Sequence, residues 1–465
     1  MVRRTALSLA PMAAVTAIVG GGISGLVLAY ALKKRGEEAM LFESTDRVGG
    51  TIRTLDRDGF WTETGPNAFL DREPAMGNLL SALGLLSKVR LASPASKERF
   101  LLVGGELLAL PSSPLSFFTS RLLPLGGRLR VLGEVFSRRS DAADESLAEF
   151  GRRHFGKAAT SVLLDAIQLG IFAGDLNHLS AVSAFPQLKR MEREHRSLTL
   201  AMIRTAKKRP KDATPGTGIG GQMVSLEGGL QQLISALEGA LEGSIQRSAP
   251  VESIQRDGRQ WVLKFRGGTP ESFAAERLIL AVPSFVAAEL LRPLDPRLAE
   301  ELSAISYAPV AVVHLGYDEK DLAVRPEGLG FLVPSREARP SLGVLFISST
   351  FPWRAPPGRV LLTCLMGGAR KPGIVKFDDE RLEQLARAEL RVALSIEAAP
   401  CFREILRWPR GIPQYNVGHQ ARLARIDASV RRLPGLYLTG NAYRGVGIND
   451  CVRNAFELAE ALRTP

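Results

Sequence analysis

The chain has 465 residues, 45% of them hydrophobic and 23% charged, the composition of an ordered globular protein long enough for two or three domains. Sixty Lys and Arg against 48 Asp and Glu give a net charge of +12, which admits anionic substrates and anionic lipid surfaces as partners. Aromatics at 6% and the lack of any nucleic-acid-binding signature argue against nucleic acid, while three scattered cysteines and five dispersed histidines exclude a disulfide framework, a CxxC pair and a metal site.

After Arg3 and Arg4 no charge appears until Lys33, a hydropathy profile that imitates a membrane span. Pro11 and the glycines break it, and its second half is already a strand and a helix, so residues 1–14 read as an extension whose targeting role stays open. The run AIVGGGISG from Ala17 to Gly25 closes a β-branched strand on glycines and opens an apolar helix. Gly20 suits a tight turn, Gly22 a close approach to a diphosphate, and Gly25 close helix packing, with Ile23 and Ser24 at the helix start. Glu43 follows 23 residues after Gly20, at the end of a second apolar strand, placed to bind a ribose hydroxyl. Ser44, Arg47, Gly49, Gly50 and Thr51 then add a second glycine loop with a positive charge, which favours a long, resident flavin dinucleotide, FAD, over an exchanging nicotinamide.

Beyond Gly65-Pro66-Asn67, helical spacing resumes at Leu79 and is followed by a hairpin with a Gly-Gly turn, Phe100 to Leu110. From Ser112 to about Lys211 the pattern is helical with Pro and Gly breaks. Phe117, Phe118, Leu122 and Leu123, beside Arg121, Arg128, Arg130, Arg138 and Arg139, read as exposed apolar wedges suited to an anionic bilayer, or equally as the core of a helix pair. Lys189 to Lys211 carries nine Lys and Arg, read as a solvated helical face running into a linker through Gly221. Strands resume near Val251, Trp261 and Leu278. Val310 to Tyr317, Gly330 to Val333, Gly343 to Ser348 and Val360 to Met366 then predict a largely antiparallel sheet. The last segment repeats the opening logic, with Val446 and Gly447 leading into a helix at about Ile448.

The motifs GGGISG, GPN, RFLLVGG, GIFAGD, FPQL, EHRS, AVVHLGY, GFLVP, IPQYNVGH and GVGINDC together resemble the oxygen-dependent protoporphyrinogen oxidases over almost the whole chain after Ala14. The resemblance implies an α/β and α+β architecture: a Rossmann-like FAD-binding domain (15–80, 218–292 and 409–465), a substrate domain with an antiparallel sheet (81–110 and 293–408), and a helical membrane-associating insert (111–217). It implies six-electron oxidation of protoporphyrinogen IX to protoporphyrin IX by FAD and molecular oxygen, releasing hydrogen peroxide, with hydride passing to the flavin. Coproporphyrinogen III is the alternative substrate. By the same resemblance Arg99 pairs with a propionate and Gly170, in the GIFAGD turn, faces the tetrapyrrole. Leu332, Leu345 and Met366 sandwich a pyrrole. Gly65, Pro66, Asn67, Val251, Trp408, Val446, Gly447 and Ile448 join the FAD contacts. Asn441 departs from the acidic residue many flavoproteins carry there. No general acid or base is identified. The basic charge and unpaired cysteines fit a peripheral location on the cytoplasmic face of the cell membrane, and the likeness allows a homodimer.

Overall fold

The structure, a computed structural model, describes residues 15–111, 113–137, 140, 142–195, 197, 198, 201, 221–267 and 270–463. A five-stranded parallel sheet has Thr16–Val19 at its centre, flanked by Ala39–Phe42 and Arg277–Leu280, with Ile245–Gln246 and Leu436–Leu438 at the edges. Its strands are apolar runs because both faces are covered. On one side Ile18 and Ile279 meet the helices Ile23–Lys34 and Ile448–Ala461. On the other, Ala17, Leu278 and Leu280 meet Trp261 and Leu263 of an antiparallel meander, Val251–Asp257, Gln260–Phe265 and Ser272–Ala275. The two ends of the chain therefore build one layer.

A second, seven-stranded sheet runs in the order Phe402–Pro413, Tyr307–Asp318, Arg359–Gly367, Ser341–Phe346, Gly330–Leu332, Phe100–Val103, Glu106–Ala109. Every pairing is antiparallel except Gly330–Leu332 with Phe100–Val103. The helix Asp379–Leu394 lies on one face, burying Leu382, Ala386 and Leu390 against Val313, Val344, Leu362 and Cys364. The strand expected to run on to Ser348 ends at Phe346, where the chain turns into the short helix Ile347–Thr350.

Between the hairpin and the strand Met223–Leu226 lie the helices Pro114–Thr119, Leu125–Leu132, Leu147–Ala159, Asp165–Phe172, Ala181–Ala184 and Pro186–Glu194. The segment Leu147–Phe172 is long and apolar enough by length and composition to cross a membrane, but half of it is buried and Gly156 breaks it at φ +82°. Of the two readings of this stretch, the structure gives Leu122 and Leu123 to a core. Leu122 and Leu123 are buried, packed with Leu101, Ala159, Val162 and Ala166, because the chain after Thr119 folds back beneath the hairpin. Among the described residues of 113–137, the large apolar side chains that face outward are Phe118, Leu125, Leu129, Leu132 and Phe136.

Lys189 is not solvated: it is buried with its amine 2.9 Å from Glu145 and 2.6 Å from Glu192. His154 and Arg153 also reach Glu192. Burial works against this carboxylate's charge, yet hydrogen bonds from Lys189, Arg153 and His154 carry its pKa down to about 2. A charge taken from water is kept only when so completely paired. Arg138, Arg139, residues 1–14 and the 202–220 stretch lie outside the described residues.

Candidate functional site

Gly20 turns at φ +109°, and a Cβ there would stand 2.5 Å from the Ala281 carbonyl oxygen. Gly25 is as tightly held, its added Cβ falling 2.1 Å from Gly20 O. Gly22 differs, since nothing lies within 4 Å of its missing Cβ. It is also the N-cap of Ile23–Lys34, a helix with no side-chain cap and no acidic residue in its first turn. The N–H groups of Ile23, Ser24 and Gly25 are thus left for an outside acceptor, with the helix dipole adding to the attraction for an anion.

The second glycine loop closes this cradle. Gly49 N–H donates to Gly21 O at 2.7 Å, and a Cβ on Gly50 would meet only Gly22 Cα, at 3.4 Å. Glu43 accepts from Gly21 N–H at 2.8 Å through one oxygen, and from Thr45 N–H and the Ser44 hydroxyl through the other. Its carboxylate is thereby fixed beside the cradle. Arg47 donates to Val48 O and Gly50 O, so it braces the loop it belongs to. Ala249 N–H donates to Glu43 O, which brings Val251 to the Glu43 end.

At the other end, the first turn of Ile448–Ala461 adjoins that of Ile23–Lys34, with Ser24 hydrogen-bonded to Cys451. Burial pushes the Cys451 thiol up to about 11, leaving it neutral. Asn449 donates to Leu70 O at 2.7 Å while its buried Oδ1 has no partner among the described residues. Gly65 packs so closely on Thr51 that a Cβ would lie 2.4 Å from its carbonyl oxygen, and Trp408 Nε1 donates to Thr64 O at 2.8 Å. Asn67 O accepts from Arg354, which forms a fully buried pair with Glu63 at 2.9 Å. Burial pushes Glu63 up to about 7 against the pull of Arg354, Leu230 N–H and Thr54. The open Gly22–Gly50 cleft, the uncapped helix end, the oriented Glu43 and the orphaned Asn449 oxygen fit FAD.

The face of the seven-stranded sheet opposite the helix Asp379–Leu394 packs in part on the helix Asp165–Phe172, Leu332 with Ala166 and Leu365 with Leu169. Strand pairing sets two rows across it: Gly330, Leu345, Thr363 and His314, then Leu101, Leu332, Gly343, Leu365 and Val312. Carrying the register back one residue puts Arg99 beside Gly330. Arg99 is exposed and forms no ion pair among the described residues. Gly170 lies inside the helix Asp165–Phe172, one turn earlier than the expected turn, and its Cβ would meet Leu332 Cδ2 at 3.2 Å. His314 is fully buried, its Nδ1 2.7 Å from the Thr363 hydroxyl, and burial takes its pKa down to about 4.

Met366 is a correction. Side chains alternate across a strand, so Leu365 shares the face of Leu332 and Leu345 while Met366 points to the other, fully buried with Leu382 and Leu390. Sequence reading also missed Ile167 and Ile171, exposed on the same helix as Gly170 at spacings of three and one residues. Two outward isoleucines flanking a glycine on a helix were the available signal.

Residues 23–463 match the family described as flavin containing amine oxidoreductase. The coproporphyrinogen III oxidase of Bacillus subtilis (strain 168) is 31% identical over 94% of this chain and 95% of its own length. The protoporphyrinogen oxidase of Homo sapiens is 35% identical over 95% and 97%. A solved structure from Exiguobacterium sp. 255-15, provisionally named a protoporphyrinogen oxidase, superposes over 97% of this chain and 99% of that one with a TM-score of 0.83 at 28% identity.

Proposed function

The chain belongs to the flavin-containing amine oxidoreductases, and on that premise we propose that it oxidises protoporphyrinogen IX to protoporphyrin IX with FAD as its cofactor and oxygen as the electron acceptor. Three molecules of oxygen take six electrons and six protons and leave as three of hydrogen peroxide. One observation carries the reading: a sheet face carrying Leu332, Leu345 and Leu365, with Arg99 at its rim and in no ion pair among the described residues, adjoins an open dinucleotide cradle. A flat tetrapyrrole offers that face apolar rings and offers Arg99 a propionate.

FAD supplies the hydride-accepting ring, and the chain supplies position. Gly22, Ile23, Ser24 and Gly25 hold the diphosphate and Glu43 the ribose. Gly20, Ser44, Arg47, Gly49, Gly50, Thr51, Gly65, Pro66, Asn67, Val251 and Trp408 shape the walls, and Val446, Gly447 and Ile448 the far end. Leu332, Leu345 and Leu365 floor the substrate site, and Gly170 lets its helix approach Leu332 closely at the edge of that floor. His314 is neutral, buried and pinned to Thr363, so protons leave to water without a dedicated base. The two sheets and the helices between them support a division into an FAD domain, a substrate domain and an insert.

We assign the row Leu125, Leu129 and Leu132, with Phe118 and Phe136, to a peripheral membrane contact on the cytoplasmic side. Sedimentation with anionic vesicles should fall when Leu129 and Phe136 become serine. Likeness to the Bacillus subtilis enzyme keeps coproporphyrinogen III as the second reading. Parallel aerobic fluorescence assays with both porphyrinogens decide it: preference for protoporphyrinogen supports the first, preference for coproporphyrinogen the second, and turnover of neither overturns both. A homodimer, expected from the likeness, is read from the mass in solution.

A further inference from the structure

The loop between Leu438 and the last helix makes its shape with help from outside. Tyr415, 2% exposed, donates its phenol hydrogen to Asn441 O and accepts from Gly445 N–H at 2.9 Å. One hydroxyl therefore bridges two main-chain groups four residues apart across the loop. Burial raises the phenol's pKa above its ordinary value, so the donated hydrogen stays in place. His419 stacks on the Tyr415 ring at 4.3 Å and its Nε2 lies 3.0 Å from Tyr443 O.

The segment carrying Tyr415 is fastened to the helical insert along its length. Ser180 N–H donates to Tyr415 O at 2.8 Å and Val417 N–H to His178 O at 2.8 Å. Gly418 N–H donates to Asp144 Oδ2 at 2.8 Å, and Asp144 Oδ1 takes the Ser180 hydroxyl at 2.6 Å. Phe172, at the end of the helix bearing Gly170, packs on the Tyr415 ring, and Val446 packs on the same apolar cluster. Insert and loop meet at this side chain.

We propose that Tyr415 is a positioning residue: anchored by the insert through residues 414–418, its phenol holds residues 441–447 in the shape that presents the N-terminus of Ile448–Ala461 to the flavin. The inference rests on the FAD reading above. It makes the insert a determinant of cofactor binding as well as of surface contact. Removing the hydroxyl leaves the half-buried Gly445 N–H and Asn441 C=O without this partner, and the loop regains one by changing shape or admitting water.

The test uses purified holoenzyme and Tyr415→Phe. Expected in the variant are faster hydrogen exchange at the amides of residues 441–447, measured after the flavin is stripped as well as before, and about tenfold weaker FAD retention. Because the helix end then stabilises the reduced, anionic ring less, the flavin midpoint potential should drop by about 30 mV for a tenfold change. kcat should fall while KM stays within about twofold, since the sheet face is untouched. Unchanged exchange, retention and potential in a folded variant overturn the inference. If Tyr415→Phe does not fold, Asp144→Ala loosens the same strap from the insert and must shift FAD retention in the same direction; no shift there overturns the inference too. A parent protein that binds no FAD refutes the cofactor reading instead.

Discussion

Exchanging Met366 and Leu365 in turn for alanine separates two adjacent residues that the sheet sends to opposite sides. Met366 has no exposed surface and packs against Leu382 and Leu390. Truncation to alanine leaves a cavity in a close-packed interior and should cost about 2–5 kcal/mol of stability. Leu365 is half-buried on the face that carries Leu332 and Leu345. Its truncation removes three carbons from the substrate floor, about 50 Å² of apolar contact at roughly 25 cal/mol per Å², or about 1.3 kcal/mol. That corresponds to about a tenfold rise in KM for the porphyrinogen. Thermal unfolding and steady-state kinetics on both variants read the two effects separately. Met366→Ala should lower the unfolding midpoint by several degrees with KM unchanged, and Leu365→Ala should do the reverse. A tenfold KM increase in a fully stable Met366→Ala protein would refute the side assignment and, with it, the strand register beneath the site.

Arg99→Ala should raise KM about tenfold and leave kcat within about twofold, the signature of lost uniform binding to a carboxylate; an unchanged KM removes the residue from the site. Gly170→Val should crowd Leu332, whose Cδ2 already stands 3.2 Å from the position of a Cβ, and cut kcat/KM at least tenfold with FAD content retained. In the insert, Glu192 titrates at about 2 folded against 4.5 in its ordinary state. A depressed carboxylate pKa contributes stability that is complete above about pH 4.5 and is lost as the pH falls toward 2. The insert should therefore loosen first on acidification, and Glu192→Gln should flatten that acid limb in a pH series of unfolding midpoints.

What the sequence made legible was local. Gly20, Gly22, Gly25 and Glu43 belong to one strand–turn–helix–strand unit, where spacing along the chain sets spacing in space, and the structure brings Glu43 to Gly21 beside the turn. The hairpin at Phe100 and the helix at Ile448 are of the same kind. What stayed illegible depended on partners far away. Lys189 looked like a member of a basic run because Glu145, which shares its charge with Glu192, lies 44 residues earlier. Leu122 and Leu123 stayed open between wedge and core because nothing nearby in sequence announces that Leu101 covers them.

Met366 shows the sharper limit. The strand Arg359–Gly367 is buried on both faces, so its apolar run carries no alternation from which to tell the sides apart. The side was settled by pairing, Leu365 with Gly343 and Val312, after the register shift between Ser341 and Gly343. A one-residue slip exchanges every side chain across a sheet. Catalytic faces built on such sheets are therefore the part of a fold that motif matching misplaces most easily, and a likeness that correctly names the strand can still name the wrong residue on it. Tyr415 belongs to the same class of omission. Its motif, IPQYNVGH, was visible as a likeness, but its work is a pair of hydrogen bonds to Asn441 and Gly445, carbonyl and amide groups that every residue but proline possesses. A side chain that acts by satisfying main-chain groups of a distant loop has no spacing by which to be recognised, and only the folded chain shows what it holds.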